Sequence, residues 1–255
     1  MNRDEDISDI SFYIFSAYTM KKIKLFCFPY AGGSSLVYRN WKNFLSPTIE
    51  IIPFELAGRG RRIADQCYHS LEEAVQDIYS QIQLQIKDSD YAFFGHSMGG
   101  LIAVELARKI EQNGLHPARH LFVSGRSAPG TKPKYDYKFH LLSDDAFKEE
   151  LVKLGGTPKE LFDHPELIQY FLPILKSDFA LSESNDNVIQ DFVLKSDLTV
   201  LFGNEDSLVV EDHNTWHHYT SKSCDICYFD GDHFFINDKM EEVVNLINKT
   251  LVREA

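Results

Sequence analysis

A six-residue turn in the first half of the chain constrains the fold more than any other feature. Gly95–Gly100 reads G-H-S-M-G-G and contains the pattern G-x-S-x-G. It follows the apolar run Tyr91–Phe94, which favours a strand, and precedes an apolar pattern with helical spacing. A strand, a tight turn and a helix in that order are typical of a nucleophile elbow, which exposes Ser97 at the carboxyl edge of a sheet and the amino end of a helix. The glycines at 95 and 99 are then required, since larger side chains would collide across so sharp a turn.

Length and composition indicate one soluble α/β domain. The chain has 255 residues, of which 44% are hydrophobic and 25% charged, and a chain of this length buries a large core. A net charge of −12 argues against a basic surface for nucleic acid, and no apolar run approaches the ~20 residues of a membrane span. The first residues are acidic where a secretory signal needs positive charge. We therefore expect a cytoplasmic protein with neither a nucleic-acid nor a membrane partner.

The cysteine pattern does not predict a metal or redox site. Cys224 and Cys227 form a C-x-x-C pattern inside a predicted strand, where residues three apart point to opposite faces. The sequence contains no second pair with the spacing of zinc ligands. We expect packed thiols in a reducing compartment, and no metal.

Strands and helices alternate from Met20 onward, so we expect residues 1–19 to be a loosely held extension and residues 20–255 to be one domain. Six strands are predicted at Ile23–Phe28, Ile49–Phe54, Tyr91–Phe94, His120–Ser124, Leu198–Phe202 and Ile226–Phe229. Helices are predicted at Leu36–Leu45, Leu71–Ile86, Met98–Asn113, Glu211–Thr220 and Lys239–Val252. Because the strands are apolar on both faces, they indicate a mostly parallel sheet with helices on both sides.

One segment interrupts the alternation, between Gly130 and Asp191. It contains three predicted helices, Ser143–Leu154, Pro158–Phe162 and Glu166–Ala180. An insertion of about 60 residues between two strands of a compact sheet usually has a function. Because it follows the elbow helix and the next strand, we expect it to be a helical lid over the active site. Its apolar side chains either line a substrate pocket or hold the lid to the domain, and both roles are expected.

A serine nucleophile needs a base that takes its proton and an acid that orients the base. In chains with this elbow the order is serine, acid, histidine. Asp206, three residues beyond the strand-ending Gly203, is the predicted acid, and Glu205 is the alternative. His233 is the predicted base because, among ten histidines, it has both the required chain order and a loop position after the last strand.

Two backbone N–H groups must hold the anion of the tetrahedral intermediate. The residue after the nucleophile, Met98, supplies one, and the loop after an early strand supplies the other. Phe28–Ser34 is such a loop, and its two glycines let the backbone approach a ligand closely. This chemistry needs neither a metal nor an organic cofactor.

Taken together, these segments resemble the type II thioesterases that accompany nonribosomal peptide and polyketide synthases. The matching segments are Phe26–Gly33, Glu55–Arg62, Gly95–Gly100, Phe171–Phe179, Gly203–Asp206 and Gly231–His233. The resemblance extends from about Lys22 to the end of the chain. It departs from the family at Ala57, where proline is usual, and at Asn204 and Ser207, where aspartate and proline are common.

The resemblance implies an α/β-hydrolase fold and a stand-alone hydrolase. Such an enzyme cleaves acyl or aminoacyl groups from the phosphopantetheine arm of a carrier protein and restores blocked synthases. The resemblance further implies that Ser97 forms the acyl-enzyme, that His233 transfers the protons, and that Asp206 orients His233. The amides of Ala31 and Met98 would hold the oxyanion.

A compact basic cluster follows the second predicted strand in this acidic chain. We expect Arg61 and Arg62 to contact the pantetheine phosphate or an acidic carrier, and Arg59, between two glycines, to pair with carboxylates beneath the loop. A general carboxylesterase or lipase of the same fold remains an alternative, although the lid and the basic loop favour the thioesterase. A non-catalytic binding module is a second alternative, against which the intact triad argues. We expect a monomer.

Overall fold

The computed structural model describes residues 22–156, 164–184, 192–209 and 213–252. The expected extension, residues 1–19, and the predicted helix Pro158–Phe162 lie outside these ranges. Six strands form one sheet: β1 (Ile23–Phe28), β2 (Ile49–Pro53), β3 (Tyr91–His96), β4 (His120–Ser124), β5 (Asp197–Gly203) and β6 (Cys224–Phe229). Their order is β2-β1-β3-β4-β5-β6, and every pairing is parallel.

The two faces of the sheet pack against separate helical layers. Along β3, Phe93 packs on one side, while Ala92 and Phe94 pack on the other, as expected of alternating side chains in a strand covered on both faces. The first layer contains α1 (Leu71–Ile86) and α2 (Met98–Gln112). The second contains α5 (Phe235–Asp238) and α6 (Met240–Leu251). The predicted α/β-hydrolase architecture is confirmed.

The predicted helix Leu36–Leu45 is wrong. The chain forms two short 3-10 helices there, Ser35–Tyr38 and Trp41–Asn43. Tyr38 and Trp41 are buried with their rings 4.9 Å apart. Apolar residues three apart are aligned on one face at three residues per turn, so this spacing suits the tighter helix.

The predicted helix Glu211–Thr220 is wrong for the same reason. A 3-10 helix covers His213–Tyr219, and Glu211 lies outside the described residues. Trp216 and Tyr219, again three apart, both donate hydrogen bonds to the segment after β4, at the carbonyls of Arg126 and Pro129.

The lid contains two described helices, α3 (Asp144–Leu154) and α4 (Pro165–Ser182). They share a small apolar cluster of their own, separate from the two layers that cover the sheet. Its buried members are Phe139, Phe147, Leu151, Leu172 and Leu175. Within the described ranges, no helix has both the length and the apolar character needed to cross a bilayer.

Candidate active site

The elbow between β3 and α2 holds Ser97 in a strained conformation. Its φ of 54° and ψ of −114° make it the one non-glycine residue with a positive φ in the described part of the chain. A Cβ at Gly95 would lie 2.0 Å from the carbonyl oxygen of Gly99, and a Cβ at Gly99 would lie 2.0 Å from the carbonyl oxygen of Phe28. The Ser97 N–H donates to the Ser124 carbonyl at 2.7 Å, which ties the elbow to the end of β4.

His233 and Asp206 lie on the loops after β6 and β5. His233 Nδ1 is 2.8 Å from Asp206 Oδ2, and their side chains are 9% and 1% exposed. The second carboxylate oxygen of Asp206 accepts the N–H of Leu208 at 2.9 Å. Glu205 is exposed, and it reaches the histidine loop only through its N–H, which donates to the Gly231 carbonyl at 3.0 Å. Of the two carboxylates considered for the acid, the structure therefore pairs Asp206 with the imidazole.

A cavity of about 430 Å³ joins these groups. Ser97 and His233 both line it, together with Tyr30 and Ala31 of the loop after β1. Because Asp206 occupies Nδ1 of His233, Nε2 is the ring nitrogen left for a reacting group in the cavity.

Side chains of the lid line this cavity and also hold the lid together. Leu151, Leu154 and Phe179 line the cavity, and the same three residues belong to or pack against the apolar cluster of the lid. Phe147 and Phe171 contribute to that cluster alone. Both roles expected from the sequence are therefore present, and some residues serve both.

Two backbone N–H groups, at Met98 next to Ser97 in the chain and at Ala31 in the same cavity, make no hydrogen bond within the described ranges. Met98 is the first residue of α2, so its N–H has no intrahelical acceptor. The N–H of Ala31 has no hydrogen-bond partner within the described ranges. The amino end of a helix also favours negative charge. This edge of the sheet is therefore suited to an oxyanion.

His96 lies against the ring of His233 and stays uncharged near neutral pH. Its ring centroid is 5.0 Å from that of His233, and its Nδ1 is 2.8 Å from the Ser124 hydroxyl. Burial, and secondarily the neighbouring His233, hold the pKa of His96 well below its ordinary value. The neutral His96 ring therefore places no positive charge against the His233 ring.

The basic loop is mostly neutralised. Arg59 is buried and forms a two-pronged pair with Asp178, with both N–O distances at 2.6 Å. Arg62, for which we expect a contact with the pantetheine phosphate or the carrier, pairs in the structure with Asp65 and Asp77 at 2.7 Å each. Arg61 is exposed and belongs to none of the ion pairs found in the described part of the chain.

Sequence reasoning missed a cation in the wall of the cavity. Arg126 lines the cavity and donates to the hydroxyl and carbonyl oxygens of Ser182, both at 2.8 Å, at the carboxyl end of α4. Burial lowers the pKa of its guanidinium to about 10. Its place two residues beyond the end of β4, on the edge of the sheet that holds Ser97, is the signal that would have found it.

The C-x-x-C pattern lies in β6, as predicted. Burial raises the pKa of Cys227, and raises that of Cys224 to about 11, so both thiols stay protonated near neutral pH. Among the described residues, no cluster of three or more histidine, cysteine or acidic side chains has the geometry of a metal site.

Comparison with known proteins assigns the family. The family profile described as "Thioesterase domain" matches residues 23–251. The chain belongs to the thioesterase domain family. The enzyme is therefore a hydrolase that acts on thioesters, and its resemblance to type II thioesterases is confirmed.

Named relatives of this thioesterase cover nearly its whole length. The gramicidin S biosynthesis protein GrsT of Aneurinibacillus migulanus is 36% identical over 90% of this chain and 89% of its own. The crystal structure of ClbQ, from the colibactin NRPS/PKS pathway, superposes with a TM-score of 0.83 at 38% identity, covering 90% of this chain and 97% of ClbQ. YbtT, a type II thioesterase from the yersiniabactin NRPS/PKS pathway, gives a TM-score of 0.80 at 26% identity, with 91% and 94% covered.

Proposed function

We propose that this thioesterase removes acyl and aminoacyl groups from the phosphopantetheine arm of carrier proteins, and so returns stalled nonribosomal peptide or polyketide synthases to work. The observation that carries the proposal is that the strained Ser97 and His233 line one cavity, and that Asp206 is paired with His233. Support for the carrier-bound substrate comes from the full-length likeness to proteins of such pathways.

The proposed reaction has two halves. In the first, Ser97 Oγ attacks the thioester carbonyl while His233 Nε2 takes the hydroxyl proton, and Asp206 stabilises the imidazolium. The N–H groups of Met98 and Ala31 hold the oxyanion of the tetrahedral intermediate. The intermediate collapses to an acyl-serine, and the departing pantetheine thiolate takes the proton from His233.

In the second half, a water molecule attacks the acyl-serine. His233 takes a proton from the water as it adds, and then returns that proton to Ser97 Oγ as the serine leaves. The products are the free acid and the regenerated enzyme. No step requires a metal or an organic cofactor.

Carrier recognition is proposed at the basic loop after β2. Of the loop arginines, Arg61 is the one we propose to meet the carrier or the pantetheine phosphate, because it is exposed. Arg62 could make the same contact only by breaking its ion pairs with Asp65 and Asp77. We further propose that the enzyme acts as a monomer in the cytoplasm.

A carboxylesterase of the same fold is the competing enzyme, since the triad serves both chemistries. The test compares hydrolysis of an acyl-loaded carrier with that of the corresponding oxygen ester. We expect turnover of the acyl carrier to be the faster reaction. Faster turnover of the oxygen ester would favour the carboxylesterase.

The nucleophile is tested separately, by mass spectrometry after treatment with a fluorophosphonate. We expect the label on Ser97 and expect Ser97→Ala to lose both label and turnover. Ser127→Ala is the matched control, because Ser127 lines the same cavity but lies outside the elbow, and it should still take the label at Ser97. Labelling of a cysteine, with an active Ser97→Ala variant, would overturn the mechanism.

A further inference from the structure

A fully buried carboxylate of the lid contacts the loop after β1. Asp178, on α4, is 0% exposed. Its Oδ2 accepts the N–H of Gly32 at 2.7 Å and an N–H of Arg59 at 2.6 Å, while its Oδ1 accepts the other arm of the same guanidinium. Arg59 also donates to the carbonyl of Gly33 at 3.0 Å. One carboxylate and one guanidinium therefore connect the lid, the loop after β2 and the loop that contains Ala31.

The same face of α4 supplies a second contact, three residues earlier. Leu175 Cδ2 lies 2.6 Å from the position that a Cβ on Gly32 would occupy, and Gly32 has a φ of +78°. Residues three apart on a helix share a face. Leu175 and Asp178 therefore hold Gly32 from the lid side by one apolar contact and one hydrogen bond.

These contacts fix the peptide group that carries the Ala31 N–H. That N–H and the Tyr30 carbonyl belong to one planar trans peptide, so fixing the carbonyl fixes the N–H, which points the opposite way. The Gly33 N–H donates to the Tyr30 carbonyl at 2.9 Å. Gly33 is held in turn through its own carbonyl by Arg59, and Gly32 is held through its N–H by Asp178.

We propose that Asp178, held by Arg59, is a positioning residue for the oxyanion hole, so that the lid helix sets one of its two N–H donors. The inference rests on the proposed function, in which Ala31 supplies that donor. Asp178 alone would place an uncompensated negative charge against the loop that carries the Ala31 N–H, and Arg59 neutralises it. The pair joins residues 119 positions apart in the sequence, and pairs of this buried kind contribute little net stability compared with apolar packing. Positioning of the loop gives the pair a role that packing alone would not.

The test uses a short acyl thioester of N-acetylcysteamine, a small thiol that needs no carrier docking. For Asp178→Asn and Arg59→Lys we expect kcat to fall about 10- to 100-fold. This decrease is no larger than the decrease in kcat that removal of a whole oxyanion donor causes. KM should change by less than about 2-fold. The affinity for an acyl trifluoromethyl ketone, which forms a tetrahedral oxyanion on the serine, should fall by the same factor as kcat. Binding of the non-hydrolysable thioether analogue of the substrate should not change. If the pair had only a structural role, its loss would lower the melting temperature. The ratio of the affinity for the trifluoromethyl ketone to the affinity for the thioether would then stay unchanged.

The matched control is Lys176→Met, on the same helix. Lys176 pairs with Asp144 at 2.7 Å, on the side of the lid away from the loop, and its loss should leave kcat within about 2-fold. An equal loss of kcat in this control, or unchanged affinity ratios in folded Asp178→Asn and Arg59→Lys, would overturn the proposal. If Asp178→Asn does not fold, the proposal is tested with Arg59→Lys, which keeps the positive charge. If neither variant folds, the pair is needed for folding and the proposal is wrong. A wild-type enzyme that fails to hydrolyse the thioester would instead refute the proposed function.

Discussion

Replacing Ser97 with glycine should stabilise the enzyme while removing the proposed nucleophile. Ser97 has a φ of 54° and a ψ of −114°, and a non-glycine residue in such a sparsely populated region costs about 1–3 kcal/mol. Glycine removes this cost, but its greater conformational freedom in the unfolded chain destabilises the folded state by about 0.5–1 kcal/mol. The free energy of unfolding should therefore rise by about 1 kcal/mol in Ser97→Gly.

The comparison variant is Ser97→Ala, which loses the hydroxyl but keeps the Cβ that causes the strain. Within the described part of the chain, the Ser97 hydroxyl donates no hydrogen bond to another residue, so its loss should change the free energy of unfolding by less than about 0.5 kcal/mol. For a chain of this length, a difference of ~1 kcal/mol corresponds to a melting temperature about 2–4 °C higher for the glycine variant than for the alanine variant.

The assay is urea and thermal unfolding, followed by circular dichroism and by tryptophan fluorescence. Ser80 is the matched control, because it lies inside α1 and is exposed. There the order should reverse, with glycine less stable than alanine by about 1 kcal/mol. A Ser97→Gly variant no more stable than Ser97→Ala would refute the assignment of strain to the elbow.

Three further outcomes are expected. Asp206→Asn should lower kcat by about 10⁴-fold, because an amide favours the wrong histidine tautomer, whereas Glu205→Gln should change kcat by less than about 2-fold; steady-state kinetics of both variants would show a reversed order if the acid is misassigned. Amide hydrogen exchange should be faster in Pro165–Ser182 of the lid than in Met98–Gln112, the helix that packs on the face of the sheet. Equal protection of the two helices would contradict a lid of low local stability. Arg61→Ala and added salt should each slow hydrolysis of the acyl carrier but not of acyl pantetheine, and equal slowing of both substrates would assign Arg61 to the fold instead.

The central architecture could be predicted because its signals are local. All six strands are predicted, since each is a short apolar run, and the four inner strands β1, β3, β4 and β5 are buried along almost their whole length. The elbow follows from glycines spaced around one serine. The α-helices predicted at Leu36–Leu45 and Glu211–Thr220 are wrong because apolar residues three apart occur in both helix types, although a 3-10 helix aligns them more closely. Burial of Trp41 and Trp216 decided between them, and burial is a property of the packed chain.

The sequence by itself determined the sheet, the elbow and the order of the proposed catalytic residues along the chain. The tertiary structure alone decided which charges meet. Asp206 and Glu205 are neighbours in the chain, and contact between the loops after β5 and β6 brings only Asp206 to His233. Arg62 pairs with Asp77, which is 15 positions away in the sequence, and Arg59 pairs with Asp178, which is 119 positions away. Local periodicity reports which face of a segment is buried, whereas an ion pair depends on where distant segments come to lie, and no spacing in the sequence records that.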